Sequence, residues 1–196
     1  MELAEDRSYS GEDWYGEEMA GRSFVRCRFA DVDLTEATTR GVKFEECAFF
    51  NVRFNASQHT DSAFLQCTFR KCNLFSSQWQ GCKLTGSAFS DCDLRPLTVT
   101  GGDWSFVNLA SADLRSVVFR DVRMREADLT GANLTEATLS HVDLSGAMLT
   151  TATLVKADLR GSDLTALNPR TCDIAGAIID ADQAVVIALA LGLTVT

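Results

Sequence analysis

The sequence predicts an all-β solenoid, closed at its C-terminal end by one α-helix. Three observations predict it. Large apolar residues recur every fifth position from Trp14 to Leu164, with only Thr39 and His59 out of type. The residue two before each is almost always small, and all seven cysteines stand at that position of the frame. After Ile179 the pattern ends in a short apolar stretch, 180–192, with helix start and stop residues at its ends. A period of five is neither the 3.6 of a helix nor the 2.0 of a flat strand. It marks a repeat architecture.

Each unit reads small-in, polar-out, large-in, as in Ala127-Asp128-Leu129, which is a short piece of strand alternation. The two remaining residues must turn the chain. Eleven of the thirteen glycines sit two after the large residue, where a tight corner needs conformational freedom. A three-residue strand cannot bury its two inward side chains alone, so the units must wind into coils and the coils must stack.

The repeats Ala127-Asp128-Leu129-Thr130-Gly131 and Ala132-Asn133-Leu134-Thr135 closely resemble those of pentapeptide-repeat proteins, and the resemblance spans roughly residues 9–180. It implies a right-handed quadrilateral β-helix with four units per coil. Residues twenty apart then lie above one another, giving columns such as Phe24, Phe44, Phe64 and Phe29, Phe49, Phe69, Phe89. Early coils stack aromatics and later ones leucines. The expected organisation is a β-helix over 1–179, with 1–13 as an N-terminal cap, and a capping and dimerisation helix with its tail over 180–196.

Composition narrows the function classes. No apolar run is long enough to span a membrane. The start is acidic rather than basic and then apolar, so a cytoplasmic location is expected. The cysteines lack CxxC pairing and companion histidines, which makes them small core residues rather than metal ligands or bridges. His59 is the odd centre and is read as a hydrogen-bonded core histidine, whereas His141 falls at a solvent-facing corner. No triad, phosphate loop or metal motif is present, so no catalytic residue, metal or cofactor is expected and the chain is not read as an enzyme.

Net charge is −9, unevenly spread. Residues 1–21 carry −6, residues 22–95 carry +2 and residues 96–196 carry −5. Stacking places Asp13, Asp33, Arg53, Asn73, Asp93, Asp113, Asn133, Thr153 and Asp173 in one outward column, with Asp103, Asp143 and Asp163 on a neighbouring face. A rod with carboxylates at fixed heights has the charge pattern of duplex DNA, and its acidity argues against direct binding of nucleic acid. The terminal helix starts at Asp180 or Asp182 and stops at Gly192. One apolar stripe suffices to cover the coil end. The surplus among Val185, Val186, Ile187, Leu189 and Leu191 predicts a second copy of the chain, a homodimer.

Three segments resemble the MfpA and Qnr quinolone-resistance family more specifically: Ser57-Gln58-His59 with Ser62-Ala63-Phe64 and Cys67-Thr68-Phe69; Leu94-Arg95-Pro96-Leu97-Thr98; and Asp182-Gln183-Ala184-Val185 with the helix that follows. The uninterrupted coil is more similar to the loop-free MfpA type. The resemblance implies a dimeric DNA mimic that binds DNA gyrase, modulates it and protects it from fluoroquinolones. The outward acids Asp93, Asp103, Asp113, Asp128, Asp143, Asp158, Asp163 and Asp173 are the candidate contact residues. The competing reading is a structural or scaffolding repeat protein with another partner.

Overall fold

The computed structural model describes residues 2–196. Four faces alternate along the chain, each contributing one short strand or bridge per coil. The first face holds the parallel strands Glu2–Glu5, Arg22–Val25, Lys43–Glu45 and Ala63–Leu65, and isolated bridges carry it on from Lys83 to Asp163. The second holds Ser8–Ser10, Arg28–Ala30, Ala48–Phe50, Thr68–Arg70 and Ala88–Ser90. The third is built from isolated bridges alone, Asp13 to Asp33 to Arg53 to Asn73 to Asp93, then Asp113 to Asn133 to Thr153 to Asp173. The fourth is a seven-stranded sheet running from Glu18–Ala20 to Thr138–Ser140.

The register of twenty residues per coil is direct: Phe24 pairs with Phe44, Phe49 with Phe69 and Thr39 with His59. This is the quadrilateral β-helix expected from the repeat. Residues 2–13, expected as a cap, are the first coil itself, since Glu2–Glu5 and Ser8–Ser10 pair in frame with Arg22–Val25 and Arg28–Ala30. Ala4 and Tyr9 therefore extend the five-residue frame past Trp14; a small alanine at a centre position hides the period from a reading that looks for large residues.

The corner two residues after nearly every centre takes a left-handed backbone whether or not glycine is there. Gly41 has φ +59°, but so do Asp31 (+55°), Phe106 (+59°) and Thr151 (+59°). Stacking over-determines this conformation: at most levels the corner amide donates to the coil above, as Asp31 N does to the Phe50 carbonyl at 3.0 Å. That bond offsets the cost of placing a Cβ in the left-handed region. Pro96 occupies a corner and follows a cis peptide bond.

The core is one continuous column. Phe29, Phe49, Phe69 and Phe89 stack at centroid separations of 4.8, 4.8 and 4.5 Å, the spacing the strands impose. All seven cysteines are free thiols, five of them buried. Their Sγ atoms point at the carbonyl of a centre in the coil below, as Cys82 does to His59 (3.3 Å) and Cys47 to Phe24 (3.4 Å). Ser87 and Ser162 make the same contact at 2.7 and 2.6 Å. The small position thus accepts Ala, Cys or Ser, because a weak donor there meets a waiting acceptor.

The helix α1 (Ala181–Ala190) follows Asp180 as N-cap. It ends where Gly192 takes φ +84° and Leu193 N donates to the Ala188 carbonyl at 3.0 Å, the Schellman arrangement. No helix among the described residues is long and apolar enough to cross a membrane.

Candidate partner-binding surfaces

The outward aspartates stand one residue before each centre, and the corner that follows decides what they do. All eight predicted contact residues accept a hydrogen bond from the backbone amide two residues on. Asp128 takes it from Thr130 at 3.0 Å, Asp163 from Thr165 at 2.9 Å, Asp173 from Ala175 at 3.1 Å and Asp93 from Arg95 at 3.3 Å. Asp103, Asp113, Asp143 and Asp158 do the same with Ser105, Arg115, Ser145 and Arg160. Asn73, Asn108, Asn133 and Asn168 repeat the bond without charge. Each is an Asx turn, the local reason Asp and Asn are chosen here. The turn also holds one carboxylate oxygen fixed against the wall.

Charge is then unequally retained. Asp113 is held by Arg115 at 2.7 Å and Arg95 at 2.9 Å, Asp158 by Arg160 at 2.6 Å, Asp143 by Arg125 at 2.6 Å and Asp103 by Arg123 at 3.3 Å. In Asp113 and Asp158 the hydrogen bond from the neighbouring guanidinium holds the carboxyl below its usual range. In Asp103 and Asp143 partial burial opposes ionisation, but bonds from Ser105 and Ser145, together with the arginines, outweigh it and the pKa is again lowered. Asp93, Asp128, Asp163 and Asp173 have no ion-pair partner among the described residues and carry uncompensated charge.

The eight do not share a face. Asp93, Asp113 and Asp173 lie on the third face, Asp103, Asp143 and Asp163 on the first, Asp128 on the second and Asp158 on the fourth. Two of the four neutralising arginines stand in Asp-Leu-Arg triplets, 113–115 and 158–160, whose outer residues point to the same side of a strand, whereas Arg123 and Arg125 reach Asp103 and Asp143 across coils and Arg95 of the triplet 93–95 turns to Asp113. Sequence reasoning counted the acids without pairing them.

The helix divides the predicted dimer residues into two groups. Val186 and Ile187 pack on the hydrophobic core. Val185, Leu189 and Leu191 are exposed at 40, 56 and 39%. Docking is fixed by a residue not singled out for it: buried Gln183 donates from Nε2 to the Leu159 and Ser162 carbonyls at 2.7 and 2.8 Å, while its Oε1 accepts from Asp180 N at 2.7 Å. Among the described residues no group of three or more His, Cys, Asp or Glu side chains is placed to hold a metal ion.

His59 is enclosed. Its ring contacts Thr39 and Ser57 and lies 4.1 Å from that of Trp79 at a 36° tilt, and burial lowers its pKa to about 3. His141 lies at an exposed corner beside Asp121, 3.8 Å away.

A family model described as pentapeptide repeat region matches residues 72–149. The structure is similar to a trypsin-treated variant of QnrB1, a plasmid-mediated fluoroquinolone resistance protein, with TM-score 0.86 and 21% identity over 99% of this chain and 100% of that one. It is similar to full-length QnrB1 with TM-score 0.57 and 19% identity over 97 and 100%. HetL, a pentapeptide-repeat protein involved in heterocyst differentiation regulation in the cyanobacterium Nostoc, matches with TM-score 0.54 and 18% identity over 90 and 84%. No curated protein sequence matches the chain. Coil, register and comparisons agree: residues 72–149 match the pentapeptide repeat region, and the fold of the chain resembles that of the Qnr protein QnrB1.

Proposed function

We propose that this protein acts by binding rather than catalysis: a dimeric DNA mimic that binds DNA gyrase, modulates its activity and protects it from fluoroquinolones. The observation that carries the reading is a fold like that of a fluoroquinolone resistance protein along the whole chain, bearing outward carboxylates held by Asx turns at coil-spaced heights. A surface that grips duplex through Lys and Arg is complementary to such a rod, and the encounter should be fast and salt-sensitive. The unpaired Asp93, Asp128, Asp163 and Asp173 are the stronger contact candidates, because Asp103, Asp113, Asp143 and Asp158 already hold arginines.

The exposed Val185, Leu189 and Leu191 supply the dimer contact. Light scattering of a Leu189→Asp, Leu191→Asp variant tests it: a particle of half the parent mass supports the dimer, and unchanged mass removes it.

A gyrase supercoiling assay with and without a fluoroquinolone tests the function. Inhibition of supercoiling and rescue from drug-induced cleavage are expected. If neither occurs, the second reading, a repeat scaffold for another partner, takes its place; it is favoured by the fold likeness to HetL and by the internal neutralisation of half the acids.

A further inference from the structure

The second face carries no acid on its outward side over the lower half of the rod. From Ser8 to Ala110 its outward positions hold Arg28, Phe50, Arg70 and Asn108, and otherwise only alanine, serine and threonine. The first acid there is Asp128. Over the same span the third face presents Asp13, Asp33 and Asp93. The strands from Ser8–Ser10 to Ala88–Ser90 form one five-stranded sheet. At the usual strand spacing the small residues make a shelf about 19 Å long.

Few side chains project from it. Phe50 is exposed at 36%, with the Arg70 guanidinium 4.9 Å and the Lys71 ammonium 5.9 Å from its ring centre. Arg28 pairs with Ala48, one coil below Phe50 and in the other outward column. Next to Arg28 lies a hollow of about 550 Å³, lined by Arg7, Arg26, Arg28 and Ala48 with Asp6 and Glu46. Arg26 is held by Glu5 and Asp6. Among the described residues Arg7, Arg28, Arg70 and Lys71 have no ion-pair partner, whereas Arg115, Arg123, Arg125 and Arg160 each hold an aspartate.

We propose that this shelf is an interaction surface for an extended acidic segment of a partner protein, whose carboxylates meet Arg28, Arg70 and Lys71 while an apolar side chain lies against Phe50. Arg7 and the hollow take the end of the segment. Charge and shape both favour that occupant. The cations are exposed and uncompensated, and they stand around an exposed ring, the composition of an interface hot spot. A single extended chain can lie flat on alanine and serine, where no long side chain holds it off. Nucleic acid fits less well. Phosphates running beyond the shelf would meet Glu46, Asp31 and Asp91 at the bordering corners, and Arg70 already covers the ring on which a base would stack. A short acidic segment stays within the shelf. Its charge is opposite to that of the surface proposed for the outward carboxylates, so the two readings stand or fall separately.

Fluorescence anisotropy of a short fluorescein-labelled peptide, rich in aspartate with leucine at its centre, tests the surface when titrated with the native full chain. Saturable binding that weakens as salt is raised is expected. Arg28→Glu and the double variant Arg70→Glu, Lys71→Glu should each weaken it about ten-fold or more, and Phe50→Ala several-fold. Arg40→Glu, a charge reversal on the fourth face, should leave the affinity within about two-fold of the parent. Thermal melts check that each variant is folded, and Arg28→Gln or Arg70→Gln is read in place of any that melts lower. The proposal is overturned if the peptide shows no saturable binding, or if the shelf variants bind as the parent does. An equal loss in Arg40→Glu also overturns it, because the effect is then one of net charge. A single-stranded oligonucleotide of the same charge that binds more tightly than the peptide, and is lost in the same variants, overturns the protein partner in favour of nucleic acid.

Discussion

The imidazole Nδ1 of His59 lies 2.8 Å from Thr39 Oγ1, one coil below it in the core. The surrounding bonds assign the protons. Ser57 Oγ donates to the Phe54 carbonyl at 2.7 Å, so it must accept from His59 Nε2–H at 2.9 Å. Nδ1 is then bare and accepts from Thr39. The neutral ring completes the set, which is how a polar triplet of Thr39, Ser57 and His59 survives in an apolar column.

Stability should therefore fall with acid earlier than carboxylates alone would make it fall. His59 is depressed to about 3 by burial, from 6.5. The unfolded chain binds its proton first, so the stabilisation is complete above pH 6.5 and is lost as pH drops toward 3, by up to about 1.4 kcal/mol per pH unit. The aspartates with lowered pKa act only below their ordinary value of 3.8. Denaturant unfolding between pH 6.5 and 4.5 should show this slope, and His59→Phe should flatten it.

Removing one ring from the aromatic stack should cost more than its area. Phe49 touches Phe29 and Phe69 at 4.8 Å on either side and is fully buried. Phe49→Ala leaves a gap between coils that the ladder holds at fixed spacing, so relaxation is limited. A loss of about 4 kcal/mol is expected in equilibrium unfolding.

Corner substitutions should split by what the added carbon meets. Thr151 is β-branched at φ +59°, so Thr151→Gly should stabilise the fold by about 1 kcal/mol. Gly41→Ala, with open space around it, should cost about 1 kcal/mol. Gly102→Ala, at the inward position beside the corner Gly101, should cost several times more, because its Cβ would lie 2.1 Å from the Cys82 carbonyl oxygen, a backbone atom that cannot swing away. Thermal melts of the three variants rank them.

Gln183→Ala should release the helix from the coil end while leaving the coil folded. Three hydrogen bonds are lost, and the Leu159 and Ser162 carbonyls lose their helix-side donor, a local cost of about 3 kcal/mol. Hydrogen exchange should speed up in 181–191 and be little changed in the Phe29–Phe69 coils.

Much of this molecule was legible because the repeat makes sequence position equivalent to height and direction. Cys47 had to point inward, and once the resemblance to pentapeptide repeats put four units in a coil, Phe44 had to lie above Phe24. His59 stood out because every neighbour in its frame was understood. The site was less legible. Asp113 and Asp128 look alike in the repeat, yet Asp113 is paired with two arginines and Asp128 with none. A crevice of about 330 Å³ beside Cys92, lined also by Phe89, Leu94, Ala110 and Ala112, was invisible, since Cys92 and Cys82 occupy the same position in their units and only Cys82 is fully covered.

The five-residue period by itself determined that the units coil and stack and which side chains face inward, because that follows from which side of a three-residue strand a side chain must take; four units per coil, and with it the register, came from the resemblance to pentapeptide repeats, and the terminal helix from its own apolar run and end residues. Tertiary structure alone decided which carboxylates keep their charge, which helix residues remain uncovered and where the wall opens. Those outcomes depend on contacts between coils twenty residues apart, where one guanidinium within reach or one missing ladder bond changes the electrostatics and the access without altering the period.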